Sequence, residues 1–340
     1  YVEHELSFDQ FHTRHADIYR VVKDFVNPDG SALPDATTPP ALAKALRTEL
    51  SDVETATRMA VNRGRLFLLQ YQDKKFYETE LIRVDKQFFE VFDFQFIAGN
   101  KAKALDQIHS IILTESVAAK YFGNEDPMGK IIRMNVNGGT DYQVSGVLKD
   151  IPSNSHFAFD VIMPFESGRN PDTDWQRSGF YTYARLKPGA DATKFATNVN
   201  AIVKANMPNS LDRYHIQSLV DIHLRSHLKW ELSPNNDISY IRILLVIGVF
   251  ILIIACINYV NLITAKSSER AREVGIRKAI GAVRYQLIRQ FLTESFLTVL
   301  ASMIFAFLIT SLILPLLTPL SGVDLSSLLM SSLVVKWSIP

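Results

Sequence analysis

The stretch ILLVIGVFILIIACINYVNLITA, residues 243–265, contains no charged side chain. A helix needs about 20 mainly apolar residues to cross the hydrocarbon core of a bilayer, and a charged side chain at mid-depth costs about 3 kcal/mol. A second uncharged stretch begins at Ser295. We therefore predict two membrane-spanning helices, at about 241–265 and 295–318.

The segment between the two predicted spans, residues 266–294, is basic. Its Lys and Arg residues outnumber its Asp and Glu residues, and it is short enough for the positive-inside rule to apply. We therefore expect this segment to face the cytoplasm and residues 1–240 to lie on the other side of the membrane. Since residue 1 then lies outside the cytoplasm, we expect the chain to be a fragment that lacks the first and last spans of its protein.

Whole-chain averages conceal this division. The 340 residues carry a formal net charge of +1 and are 47% hydrophobic, values that suit a soluble globular protein. The polar N-terminal part is long enough to bury a core and to form more than one domain. The single cysteine, Cys256, lies in the first predicted span, so no disulfide framework is expected.

Short β-rich runs alternate with amphipathic helical patterns in residues 1–238. Val53–Val61 is predicted as a strand. The runs 130–136 and 142–148 are predicted as a hairpin, because the intervening Asn-Gly-Gly supplies the positive φ that tight turns require. Asp191 is expected to precede a helix with one apolar face, formed by Phe195, Val199, Ile202 and Val203.

These patterns predict the fold class. We expect an α+β (mixed α/β) extracytoplasmic domain with two subdomains over residues 1–238. It is joined to an all-α transmembrane domain over residues 239–340.

The segment Gly123-Asn-Glu-Asp-Pro-Met-Gly129-Lys130 has a superficial likeness to a phosphate-binding loop. It has five residues between the glycines where the motif has four, and Ile131 stands where Ser or Thr would hold Mg²⁺. We interpret it as a helix stop followed by a turn. No ATP site is therefore expected in this chain.

Histidine spacing gives no metal site. His223 and His227 are four apart, but residues 216–224 have a strand-like pattern, in which that spacing does not bring two imidazoles to one point. His12 and His15 lack further ligands nearby in sequence. We predict that these histidines are exposed polar residues, and that the chain has no metal, no cofactor and no catalytic residues.

Two interpretations of the basic segment remain. In the first interpretation, the segment is an anchor that holds the helix end against anionic lipid headgroups. However, Val274, Ile276 and Ile280 intersperse the charges, acidic residues occur, and Gly275 and Gly281 punctuate the segment. This composition favours a short docking helix for a protein partner, because a pure lipid anchor needs neither acidic residues nor glycine breaks.

The run from Ile254 to Ala282, continuing to Ser295, resembles the FtsX-like/MacB-like family of ABC transporter permeases, in the style of the long permeases of Bacteroidota. Residues 1–238 are similar to the MacB-like periplasmic core domain of that family. The motifs that carry this second likeness are Phe8-Asp9-Gln10-Phe11-His12, Ile18-Tyr19-Arg20-Val21, Tyr121-Phe122-Gly123, Asp126-Pro127-Met128-Gly129-Lys130 and Asp221-Ile222-His223-Leu224.

The resemblance implies a multi-pass permease subunit in the bacterial inner membrane, with its large domain in the periplasm. It implies pairing with a cytoplasmic ABC ATPase subunit, whose closure is transmitted to the periplasmic domain by mechanotransmission, for export, efflux or lipoprotein handling. A dimer of permease halves and a periplasmic adaptor or effector protein are implied as further partners. No nucleic acid is expected.

In relatives, the cytoplasmic segment between the spans contacts the ATPase. The resemblance implies that role for a set of basic, acidic and glycine residues within 266–294: Arg270, Arg272, Glu273, Gly275, Arg277, Lys278 and Gly281. Glycines allow close backbone approach, and the planar guanidinium of Arg277 suits a carboxylate.

Other functions remain open. The chain would also suit a membrane-anchored sensor, or a regulator of a periplasmic cell-wall hydrolase or of the response to antimicrobial peptides, without transport. A fused ATPase domain or a second permease half elsewhere in the protein is equally compatible with this sequence. An anchored enzyme is disfavoured, because no catalytic motif is present.

Overall fold

The computed structural model describes residues 1–62, 64–135, 138–165, 171–281 and 283–321. These residues form two compact units. One unit runs from Glu5 to Asp237, and the other combines Tyr1–His4 with the chain from Ile238 onward. The chain therefore passes between the units at two points, after His4 and after Asp237.

The unit Glu5–Asp237 is built on one sheet, which has thirteen strands among the described residues. The strands are β1 (Ile18–Val26), β2 (Ala32–Asp35), β3 (Val53–Val61), β4 (Phe67–Tyr71), β5 (Lys74–Glu78), β6 (Leu81–Val84), β7 (Phe96–Gly99), β8 (Ser110–Thr114), β9 (Ile131–Met134), β10 (Thr140–Leu148), β11 (Val161–Pro164), β12 (Tyr181–Leu186) and β13 (Arg213–Ser218). Their order in the sheet is β13-β1-β12-β3-β6-β11-β8-β10-β9-β4-β5, with β2 paired to β1 and β7 to β10. The pairs β8–β10 and β6–β11 are parallel, and the others are antiparallel.

Helices cover the two ends of this sheet. The helices of the described chain are α1 (Val2–Leu6), α2 (Leu42–Glu49), α3 (Phe88–Val91), α4 (Glu115–Phe122), α5 (Ala192–Asn206), α6 (Ile222–Arg225), α7 (Ile238–Ala279) and α8 (Arg284–Ser321). α2 and α5 share a core with β1, β3, β12 and β13, whereas α4 shares one with β4 and β8–β11. A third core, rich in phenylalanine, includes Phe88 and Phe92.

The predicted mixed α/β fold is confirmed. Residues Glu5–Asp237 form one compact unit on a single sheet, and the expected division into two subdomains stays a prediction. Val53–Val61 is β3, and the predicted hairpin is β9–β10, with Met134 opposite Thr140; Asn137 of its turn lies outside the described residues. α5 begins after Asp191, whose carboxylate accepts hydrogen bonds from the backbone N–H of Thr193 at 2.8 Å and of Lys194 at 3.3 Å.

The prediction of a strand that continues to Leu224 is wrong. β13 ends at Ser218, and Leu219–Asp221 form a 3₁₀ turn that leads into α6. An apolar-polar alternation over only four residues does not distinguish a strand from a short helix. In the structure Leu219, Ile222 and Leu224 are all buried, which the helical turn permits.

The C-terminal unit contains two long helices. Within α7 and α8, the stretches Ile238–Ser267 and Tyr285–Leu316 are long and apolar enough to cross a membrane; they contain 18-residue segments with mean hydropathies of 2.9 and 2.5. The second stretch begins before the predicted start at Ser295, because Arg289 and Glu294 do not interrupt the helix.

Candidate coupling site

The basic segment does not form a short helix of its own. α7 continues without a break from its apolar stretch through Ala279. Lys, Arg, Glu and Ala are good helix formers, and Gly275 is the weakest helix former between Ala265 and Ala279. Residues 266–279 therefore extend α7 by about 20 Å, at 1.5 Å per residue.

A turn at Gly281 separates the two long helices. The N–H of Ile280 donates to the carbonyl of Ile276 at 3.2 Å, and the N–H of Gly281 donates to the carbonyl of Lys278 at 3.1 Å. Gly281 has φ of 97°, in the left-handed region that favours glycine. α8 begins at Arg284.

The structure brings the predicted coupling residues together in the last three turns of α7 and in the turn that follows. Arg272, Gly275, Lys278 and Gly281 are exposed. Arg270 and Glu273 lie on the same helix, but their side chains lie outside the described part of the chain. A Cβ added at Gly275 would meet no atom of the described residues within 4 Å, so packing against that part of the chain does not require glycine there.

Arg277 differs from the exposed members of the set. Its side chain is half-buried, and its Nη1 donates to Oε1 of Gln290 on α8. The sequence alone suggests a guanidinium available to a partner. In the structure this group also links α7 to α8, a role that spacing along the chain does not reveal.

A buried polar network lies in the unit Glu5–Asp237. Asp9, His156 and Tyr183 are 0%, 1% and 0% exposed. The Nδ1 of His156 is 2.8 Å from Oδ2 of Asp9, and its Nε2 is 2.9 Å from the hydroxyl oxygen of Tyr183. Burial raises the pKa of Tyr183, so its hydroxyl keeps its proton and donates to the imidazole.

A second part of this network is an ion pair. Arg20, on β1, is 0% exposed. It donates to Glu231 through Nη1 at 2.6 Å and Nη2 at 2.8 Å, and to Oε1 of Gln217 at 2.7 Å. Burial alone would raise the pKa of Glu231, but the hydrogen bonds and charge of Arg20 outweigh it and hold that pKa below its ordinary value.

The prediction that the histidines are exposed polar residues is wrong for His12 and His223, which are 0% and 6% exposed. His12 packs against Phe92 and Phe94, and its Nδ1 accepts a hydrogen bond from the N–H of Asp93 at 3.0 Å. Among the described residues, no group of three or more His, Cys, Asp or Glu side chains is arranged to hold a metal ion.

His12 makes the stability of this unit depend on pH. Burial lowers the pKa of His12 from 6.5 to about 4, so below pH 6.5 the unfolded chain binds a proton that the folded chain does not. This contribution is complete above pH 6.5 and is lost as the pH falls towards 4, by up to about 3 kcal/mol.

We expect His12→Phe to flatten the dependence of the melting temperature on pH between 6.5 and 4. The exposed His109→Phe serves as the matched control and should leave that dependence unchanged. If the melting temperature changes with pH equally in His12→Phe and in the unaltered chain, the assignment of this pH dependence to His12 is contradicted.

Comparisons with known proteins cover both units. Residues 1–202 match the MacB-like periplasmic core domain, and residues 245–340 match the FtsX-like permease C-terminal domain. The resemblance inferred from the sequence is confirmed. A crystallised domain assigned to a permease protein from Porphyromonas gingivalis has the same fold, with a TM-score of 0.53 at 21% identity, over 66% of this chain and 95% of that domain.

Two curated relatives extend the likeness. The macrolide export ATP-binding/permease protein MacB of Aggregatibacter actinomycetemcomitans is 25% identical over 265 residues, which are 73% of this chain and 38% of that protein. The ABC transporter permease YknZ of Bacillus subtilis is 26% identical over 204 residues, which are 60% of this chain and 46% of that protein. This chain thus spans less than half the length of either relative.

The two family matches and the two apolar helices together describe a membrane protein with a periplasmic domain. The chain belongs to the FtsX-like/MacB-like family of ABC transporter permeases.

Proposed function

We propose that this chain is the permease part of an ABC transporter that couples ATP hydrolysis by a cytoplasmic ATPase to conformational change of its periplasmic domain. The proposed setting is the bacterial inner membrane, with several spans, a dimer of permease halves, and a periplasmic adaptor or effector. The proposed task is export, efflux or lipoprotein handling. MacB is named as an ATP-binding/permease protein and YknZ as a permease, so family membership is compatible with an ATPase on a separate subunit.

The continuity of α7 is the observation that carries this proposal. The helix begins at Ile238, immediately after the unit Glu5–Asp237, which we call the periplasmic unit. It continues through the basic segment to Ala279. A hydrogen-bonded helix resists bending, because sharp kinks occur almost only at proline, at Gly/Ser pairs, at π-bulges or at an inserted group, and α7 contains no proline. A displacement of the segment around Lys278 would therefore be carried along the helix rather than absorbed in a loop.

The exposed surface at the end of α7 has the chemistry of a docking site. Arg272 and Lys278 offer positive charge to acidic groups of a partner, and Gly275 leaves room for close approach of another backbone. We include Arg277, Arg270, Glu273 and Gly281 in the same proposed contact. Gly281 would set the direction of the turn that follows this proposed contact surface.

A photoreactive amino acid at Ala279, the exposed last residue of α7, tests this proposal in native membranes. We expect irradiation to attach an ATP-hydrolysing protein, which mass spectrometry would identify. The same amino acid at Lys187, which is exposed on the periplasmic unit, should not capture that protein. Attachment of lipid alone at Ala279 would favour an anchor, and attachment of a signalling protein would favour a sensor.

A further inference from the structure

The two points where the chain enters and leaves the periplasmic unit are joined by one side chain. Glu5 is the first residue of this unit, and Asn236 is the last but one. Oε2 of Glu5 accepts hydrogen bonds from Nδ2 of Asn236 at 2.8 Å and lies 2.9 Å from Nε2 of His223. Glu5 is 4% exposed, so these donors replace the water that a carboxylate would otherwise bind.

The backbone and the neighbouring rings strengthen the same junction. The N–H of Asn236 donates to the carbonyl of His223 at 2.9 Å. The ring of Phe8 stacks on the imidazole of His223, with centroids 3.4 Å apart and an interplanar angle of 2°. Residues 5–8 therefore contact residues 223–236 through a carboxylate and an aromatic stack, and a main-chain bond joins the two ends of the second segment.

Both segments are also bonded to His156, which lies in the loop between β10 and β11. Oδ1 of Asp9 accepts from the N–H of His156 at 3.1 Å, and the hydroxyl of Ser233 donates to the carbonyl of His156 at 2.9 Å. The Nε2 of His156 in turn lies 2.9 Å from the hydroxyl oxygen of Tyr183 on β12. The first and last segments of the unit thus share an anchor at His156, which contacts β12 through Tyr183.

We propose that Glu5 is a positioning residue that clamps the two membrane-side ends of the periplasmic unit into a single body. A force applied at either end of the unit is then transmitted to the sheet through both the first and the last segment. Without the clamp, the two segments would be coupled more weakly, through the Phe8–His223 stack and the bonds of both segments to His156. The clamp itself rests on the contacts above, whereas its use in transmitting ATP-driven motion rests on the proposed function.

The clamp is tested by a substitution in the last segment of the unit and a measurement of hydrogen exchange in its first segment. Asn236→Asp is isosteric and sets a second carboxylate against that of Glu5. In the full chain in nanodiscs, we expect it to raise the hydrogen-exchange rate of the Asp9 amide about tenfold. That amide donates to the carbonyl of Asn154 at 2.8 Å, and it lies far from residue 236 in sequence.

The double variant Glu5→Gln with Asn236→Asp should restore slow hydrogen exchange of the Asp9 amide. The side-chain amide introduced at position 5 then donates to the carboxylate introduced at position 236. Asn209→Asp makes the same chemical change at an exposed site and should have no effect there. An unchanged rate of amide hydrogen exchange in α5 shows that each variant is folded. An unchanged rate at Asp9 in Asn236→Asp, or a double variant that fails to restore it, would overturn the clamp.

These results need no ATPase, so they separate the clamp from the proposed function. If photocrosslinking at Ala279 recovers no ATPase while the exchange pattern is as expected, the function fails and the clamp stands. If the ATPase is recovered but exchange at Asp9 does not respond, the clamp fails and the function stands.

Discussion

Replacing Glu231 by alanine is expected to lower the free energy of unfolding of the periplasmic unit by about 3–5 kcal/mol, because removal of one partner leaves a buried charge without its counter-ion. Its partner Arg20 has a fully buried side chain, and that of Glu231 is 12% exposed. The two residues are joined by two hydrogen bonds, at 2.6 and 2.8 Å. After the substitution, Arg20 would keep Gln217 and Ser226 as polar neighbours but no carboxylate.

Thermal unfolding of the full chain measures this effect. For a unit of this size, about 1 kcal/mol corresponds to 2–4 °C, so a fall in melting temperature of about 10 °C is expected. The exposed pair Lys86–Asp106 gives the matched control, with side chains 61% and 52% exposed. Asp106→Ala should change the free energy of unfolding by less than about 1 kcal/mol.

The double variant Arg20→Met with Glu231→Leu separates lost charge pairing from lost packing. Because apolar residues of similar size often replace a buried ion pair without loss, most of the stability should return. If the double variant is as unstable as Glu231→Ala, the cost would arise from packing and not from an unpaired charge.

Locally encoded elements were predictable from the sequence. The apolar face of α5 and its Asp191 cap follow from helical spacing and side-chain chemistry, and all four predicted face residues are buried. Val53–Val61 has the composition of a half-buried strand and forms β3. The hydrophobic stretches of α7 and α8 are equally local signals.

Long-range order was not predictable in the same way. β11 lies between β6 and β8, next to β6 in parallel, and no local pattern specifies that register. Asp9 and His156 are polar residues that composition assigns to the surface. They are buried because each satisfies the other at 2.8 Å, a pairing between residues 147 positions apart.

The sequence predicts a position for the candidate coupling site, which stays a prediction, but not the geometry of that segment. Charge asymmetry and the family resemblance point to residues 270–281. The spacing of charges does not reveal that the segment continues α7, or that Arg277 contacts Gln290. Arg272 and Lys278, which are exposed, are therefore better probes of partner docking than Arg277.

Charge reversal at these two positions, Arg272→Glu with Lys278→Glu, is expected to abolish coupling to the ATPase. Like charges across a docked interface disfavour association by several kcal/mol, so an affinity loss of about 100-fold or more is expected. The apolar stretches of α7 and α8 are unaltered, so insertion into the membrane should be retained. Lys187→Glu, on the exposed surface of the periplasmic unit, is the matched control.

The most direct measurement of the central claim is the ATPase rate of the subunit recovered at Ala279, reconstituted in nanodiscs with each permease variant. The account predicts that the unaltered permease and Lys187→Glu change this rate equally. The doubly reversed permease should be inserted normally but leave the rate at that of the ATPase alone. An ATPase rate that responds to the reversed permease as it does to the unaltered one would contradict coupling through the end of α7.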